Sequence, residues 1–78
     1  MITYQIKCFG MLSEIIGEQI TIECNTEYSV DELIKYLEKD YPKLEAIPVK
    51  VAQNDQLLED SAIVLSGPLS MFPPFSGG

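Results

Sequence analysis

Ser29-Val30-Asp31-Glu32 opens the one long helix that the pattern of this chain supports. A serine followed three residues later by a glutamate makes a capping box, in which the hydroxyl accepts from the Glu32 N–H and the carboxylate reaches back to the Ser29 N–H. Tyr28 and Leu33 stand where a hydrophobic staple would sit. Val30, Leu33, Ile34 and Leu37 recur at helical spacing as one apolar stripe, with Asp31, Glu32, Lys35, Glu38 and Lys39 largely off it. Pro42 predicts a stop near Asp40 or Tyr41, because the residue before proline is pushed out of the helical region. A single amphipathic helix must lay its stripe on something else, and the flanking segments read as strands.

Residues 2–8 alternate apolar and polar, and residues 18–24 repeat the alternation with Ile20, Ile22 and Cys24 inward. The two predict a hairpin centred near residue 13. Its link, Phe9 to Gly17, carries Leu12, Ile15 and Ile16 at helical spacing before Gly17, which suits one helical turn closed by glycine. After a loop from Lys43 to Pro48, residues 49–53 read as a third strand, Asn54-Asp55 as a turn and Gln56 to Leu58 as a short return strand. Ser66-Gly67-Pro68 reads as the last turn and Leu69 to Phe72 as the final strand, ended by Pro73-Pro74, neither of which can donate to a ladder.

Strand, strand, helix, strand, short strand, strand is an α+β order in which one main amphipathic helix packs across a mixed sheet, and it suggests a ubiquitin-like β-grasp. The expected division is a domain over residues 1–72 and an extended tail over residues 73–78. In that topology the first and last strands run parallel and adjacent. Phe9 continues the outward parity of Thr3, Gln5 and Lys7, and Phe72 is opposite in parity to Leu69 and Met71, so the two phenylalanines are expected together on the solvent side.

Composition narrows what such a domain can do. At 78 residues the chain forms one domain burying only about 60% of its unfolded surface, too little for a deep catalytic cleft. Twelve acidic residues against five basic ones give a net charge of -7, which repels nucleic acid and anionic membranes. The acidic excess reads as a solvated surface, with a complementary basic partner as the sharper alternative. No apolar run approaches the roughly 20 residues of a membrane span, and the N-terminus reads as a strand rather than a signal peptide, so a cytoplasmic address is expected. Without histidine the chain lacks the usual neutral-pH proton shuttle, and two cysteines make no tetrahedral zinc site. Cys8 and Cys24 share inward strand parity and are expected as reduced core thiols; in the hairpin register Cys24 pairs near Ile2 to Tyr4, out of disulfide reach of Cys8.

The most informative stretch is Phe72-Pro73-Pro74-Phe75-Ser76-Gly77-Gly78. Two terminal residues without side chains let a backbone enter a channel too narrow for any Cβ, and the prolines stiffen its exit from the sheet. From Pro74 onward the chain can reach about 13 to 16 Å. The group it would deliver is the Gly78 α-carboxylate, ionised at neutral pH and a poor electrophile until activated. Adenylation by an ATP-using partner, followed by displacement of AMP by sulfur, would leave a thiocarboxylate.

This order of elements, with Phe9 to Gly17, the Asn54 turn and above all Phe72 to Gly78, resembles the MoaD-type sulfur carriers of the MoaD/ThiS family, the small subunits of molybdopterin synthase. Tails in that family typically read Pro-Pro-(Val)-(Ser/Thr)-Gly-Gly. Phe75 replaces the commoner valine, and Ser66-Gly67-Pro68 stands where family members commonly carry a Gly-Asp turn.

The resemblance implies a carrier that is no enzyme on its own and binds no cofactor. Its Gly78, preceded by Gly77, would be adenylated with ATP by a ubiquitin-activating-type enzyme, converted to a thiocarboxylate, and inserted into a large synthase subunit. There it would donate sulfur to a cyclic pyranopterin monophosphate precursor in molybdenum cofactor biosynthesis. The resemblance further implies a heterotetramer of two small and two large subunits. Phe9, Leu57 and Phe72 match positions of an apolar docking surface, with Pro73, Pro74, Phe75 and Ser76 reaching into the partner. The alternatives are a thiamine-type sulfur carrier, a ubiquitin-like modifier, and an interaction module with an inert tail.

Overall fold

The structure is a computed structural model and describes residues 1–74. Five strands and two helices follow in the order β1 (Ile2–Cys8), α1 (Met11–Ile15), β2 (Gln19–Cys24), α2 (Val30–Glu38), β3 (Lys50–Gln53), β4 (Gln56–Leu58) and β5 (Gly67–Phe72). They form one mixed sheet in the order β2-β1-β5-β3-β4, with β1 and β5 parallel at its centre and the other pairs antiparallel. This is the expected ubiquitin-like β-grasp.

Strand parity decides the two faces. Tyr4, Ile6 and Cys8 of β1, Val51 of β3, and Leu69 and Met71 of β5 point to the buried side. There they share one apolar core with Val30, Leu33 and Leu37 of α2, and with Leu12 and Ile16. At about 25 cal/mol per Å² of apolar surface removed from water, this cluster is the main favourable term in folding. The capping box of α2 is present in both directions, Glu32 N–H to Ser29 Oγ at 3.2 Å and Ser29 N–H to Glu32 Oε1 at 2.9 Å. Tyr28 forms its ring contact with Tyr36, at 5.6 Å between centroids. Cys24 pairs with Ile2, six positions along β1 from Cys8, so the thiols stand roughly 20 Å apart along the ladder, and both are free and buried.

Three expectations need correction. Regular helix ends at Glu38, short of Asp40 or Tyr41; beyond it the Leu37 carbonyl accepts from both the Asp40 N–H at 3.1 Å, a tightened i→i−3 bond, and the Tyr41 N–H at 2.9 Å. The segment read as a loop begins with a 3-10 helix, Pro42–Ala46, which buries Leu44. Ser66-Gly67-Pro68 is not a turn that precedes the strand: Gly67 and Pro68 are the first residues of β5, paired with Tyr4 and Gln5. Proline is tolerated in this central strand because the β3–β5 pairing runs only from Ser70 to Phe72, leaving Pro68 no ladder partner on that side. Among the described residues no helix is long and apolar enough to cross a membrane.

Candidate functional site

β5 carries the chain from the middle of the sheet to Phe72, and Pro73-Pro74 lead out of it. The exit is fixed on two sides. The Phe9 N–H donates to the Met71 carbonyl at 3.0 Å, extending the β1–β5 ladder one step beyond the paired strands. Gly10, at φ 59°, then turns the chain into α1 with its missing side chain facing Pro73, whose Cγ would lie 3.3 Å from a Cβ at that position.

Phe9 and Phe72 both extend from this junction. Cys8 is the register partner of Met71, so Phe9 and Phe72 occupy the next step of the same two neighbouring strands with the same outward parity. Phe9 is 43% exposed, while Phe72 is half-buried. Leu57, 62% exposed, lies on that face too: it pairs with Ala52, and Ala52 pairs with Ser70, two residues before Phe72. At about 4.8 Å per strand, Leu57 stands roughly 10 Å across the sheet from β5. The structure therefore brings Phe9, Leu57 and Phe72 to one face and places Pro73 and Pro74 at its edge. The other residues singled out in the sequence, Phe75, Ser76, Gly77 and Gly78, lie outside the described residues.

Two cations flank the aromatic pair, a feature that sequence reasoning missed. Lys7 Nζ lies 5.5 Å from the centre of the Phe9 ring, and Lys50 is the cross-strand partner of Phe72. The signal was available in the outward parity of Lys7, but Lys50 needed the register of β3 on β5. A shallow cavity of 380 Å³ on the same face is lined by side chains including Gln5, Lys7, Ser70 and Asp55. The buried nucleophilic groups are elsewhere: burial pushes the thiols of Cys8 and Cys24 above their ordinary pKa, which keeps them protonated and inert at neutral pH. Among the described residues no three His, Cys, Asp or Glu side chains are grouped to hold a metal ion. What the site offers chemically is an apolar surface around a chain exit, with Lys7 and Lys50 beside its two phenylalanines.

Residues 6–78 match the ThiS family, a span that includes β5, its exit and the remaining tail. The chain belongs to the ThiS family. The MoaD/ThiS resemblance and the β-grasp fold thus stand, and the family is one of small ubiquitin-like sulfur carriers and modifiers that are generally non-catalytic. Such proteins normally work with a partner subunit and an activating enzyme.

Solved structures with the same fold include a Pyrococcus furiosus protein assigned as subunit 1 of molybdopterin converting factor. It is 20% identical to this ThiS-family chain with a TM-score of 0.83, the match covering 96% of this chain and 100% of that one. Small archaeal modifier protein 1 of Haloferax volcanii is similar at 20% identity and a TM-score of 0.77, over 96% and 100% of the two chains. A designed protein based on human ubiquitin matches at 18% identity and a TM-score of 0.63, over 100% and 98%. By sequence, no curated protein matches the chain.

Proposed function

We propose that this ThiS-family chain is the sulfur-carrier subunit of a molybdopterin synthase, working in the cytoplasm through the α-carboxylate of Gly78. The supporting observation is the exit of β5: the central strand delivers Pro73 to a fixed seat against Gly10, beside an outward Phe9–Phe72 face, and the sequence continues to Gly77-Gly78 within the family match. The likeness to a molybdopterin converting factor subunit favours this branch of the family.

In this reading a Gly78 carboxylate oxygen attacks the α-phosphorus of ATP on an adenylating partner, releasing pyrophosphate and forming an acyl adenylate. A hydrosulfide-equivalent donor then attacks the carbonyl carbon, AMP leaves, and a thiocarboxylate remains. The tail enters the large subunit, where the thiocarboxylate sulfur passes to a cyclic pyranopterin monophosphate and hydrolysis returns the carboxylate. The carrier contributes the electrophile, its reach and the docking face of Phe9, Leu57 and Phe72. Pro73 to Ser76 occupy the partner's channel, the assembly holds two small and two large subunits, and ATP is bound by the partner alone.

Intact-mass measurement of the protein from its native host tests the carrier chemistry, since replacing one carboxylate oxygen with sulfur adds about 16 Da. Reconstitution with adenylating enzyme, sulfur donor and large subunit then tests molybdopterin formation. A second reading, a protein modifier, draws on the likeness to small archaeal modifier protein 1. Isopeptide conjugates through Gly78 in cells, with no thiocarboxylate, would establish that reading and overturn the first; a thiocarboxylate that yields no molybdopterin would favour a thiamine-type carrier.

A further inference from the structure

The net charge of -7 suggests a basic partner, but the face around the chain exit carries the opposite sign. Lys7 and Lys50 flank the Phe9–Phe72 pair from β1 and β3, and both are exposed. Among the described residues neither is ion-paired; the salt bridge seen there joins Lys35 to Asp31 on α2. The acidic strand residue that shares this face is Glu23, opposite Thr3 at the far end of β1. Glu59 follows the Leu58–Val51 pair at the end of β4, and no ion pair joins it to Lys50 among the described residues. Asp55, in the β3–β4 turn, lines the cavity on this face together with Lys7, and no ion pair joins the two among the described residues.

Distance decides which charge a docking protein feels. At physiological salt the screening length is about 8 Å, so exposed carboxylates farther than that from the contact act weakly, whereas lysines at its rim act fully. A protein that receives the tail must touch the surface from which the tail departs, and here that surface carries Phe9 beneath the Lys7 ammonium and Phe72 beside its cross-strand neighbour Lys50. A basic rim facing Lys7 and Lys50 would set like charge against like and oppose docking.

We infer that the adenylating partner meets this face with an apolar seat rimmed by carboxylates that face Lys7 and Lys50. This rests on the proposed activation of Gly78. The carboxylate rim sets register and encounter rate, while burial of Phe9 and Phe72 holds the complex. Nucleic acid and anionic lipid are disfavoured occupants, because two lysines on an otherwise acidic chain do not neutralise a polyanion.

The test is ATP–pyrophosphate exchange by the adenylating enzyme with the wild-type carrier, Lys7→Glu/Lys50→Glu, Lys7→Gln/Lys50→Gln and Lys7→Arg/Lys50→Arg, at two ionic strengths. The double reversal is expected to raise the KM for the carrier about tenfold at unchanged kcat, with a smaller rise for the glutamine pair and none for the arginine pair. Added salt should raise the wild-type KM and leave that of the reversed variant flat or lower. Wild-type exchange with an unchanged or lower KM for both the glutamate and glutamine pairs would overturn the acidic rim. Absence of exchange with wild type would overturn the carrier reading itself, and this inference with it.

Discussion

Pro73 lies against the bare Cα of Gly10, so that the first residue beyond the central strand is seated where the chain turns from β1 into α1. A Cβ on Gly10 would approach Pro73 Cγ to 3.3 Å and Cδ to 3.5 Å, and Gly10 also holds a φ of 59° that L side chains rarely adopt. Gly10→Ala is therefore expected to destabilise the fold by about 1–3 kcal/mol through backbone strain. It should also redirect the tail. Adding Pro73→Ala to that variant removes the steric conflict but not the strain, so carrier activity should recover more than stability in urea melts. Equal recovery of neither would show that the seat does not aim the tail.

One residue added after Gly78 should abolish sulfur transfer, because it moves the reactive carbon by roughly 3.5 Å when even about 1 Å can cost 10²-fold in rate. Gly77→Val should cripple activation, since a β-branched side chain fills a narrow channel and closes positive φ. Thermal melts of both variants should match wild type. Full molybdopterin formation by the extended protein would rule out the tail mechanism.

Phe72→Asp should weaken binding to the large subunit by about 2 kcal/mol or more, as expected for an aromatic at an interface centre. Phe72 is half-buried on the face opposite the core, beside Lys50 on β3, so circular dichroism should report an intact fold. Loss of the folded spectrum would instead make Phe72 a packing residue.

Stability should fall at alkaline pH. Burial raises the thiols of Cys8 and Cys24 above their ordinary 9.0. Burial also raises the Tyr4 phenol above 10.0, aided by the charges of Cys24, Glu27 and Glu32 and opposed by the hydrogen bond from Tyr28 N–H. Each group holds its proton more tightly folded than unfolded, so its contribution is complete below the unfolded pKa and is lost as pH rises through the folded one. Chemical denaturation should give a plateau near neutrality and a decline beginning at about pH 9, where the unfolded thiols ionise. Cys8→Ala/Cys24→Ala should delay the decline toward the tyrosine range. A flat profile through pH 11 in the wild type would contradict the assignment of these groups to the core.

Local signals carried much of the fold. The Ser29–Glu32 capping box, the stripe from Val30 to Leu37 and the alternation of β1 and β2 are interactions within a few residues of one another, so residue order alone specifies them. Even the Ile2–Cys24 register followed from parity and a hairpin centre. The outward placement of Phe9 and Phe72 followed once β1 and β5 were taken as neighbours. The sequence also marked the Gly77-Gly78 tail, because the proposed carrier chemistry asks there for a residue type rather than a folded surrounding.

The tertiary structure alone decided how distant segments are pinned together. Gln53 reads as a polar strand residue, yet its buried amide donates to the carbonyls of Leu65 and Pro68 at 2.7 and 3.2 Å and accepts from the Leu65 N–H at 2.8 Å. Ser66 Oγ accepts from the Thr3 N–H and donates to the Thr3 carbonyl across 63 positions, which is why Ser66-Gly67-Pro68 leads directly into β5. Tyr4 donates its hydroxyl proton to the Val64 carbonyl at 2.8 Å while accepting from Tyr28 N–H, tying β1 to two later segments. The seating of Pro73 on Gly10 and the flanking of Phe72 by Lys50 belong with these. Each depends on which strand lies beside which, a choice fixed by burying one common core rather than by near neighbours in the chain.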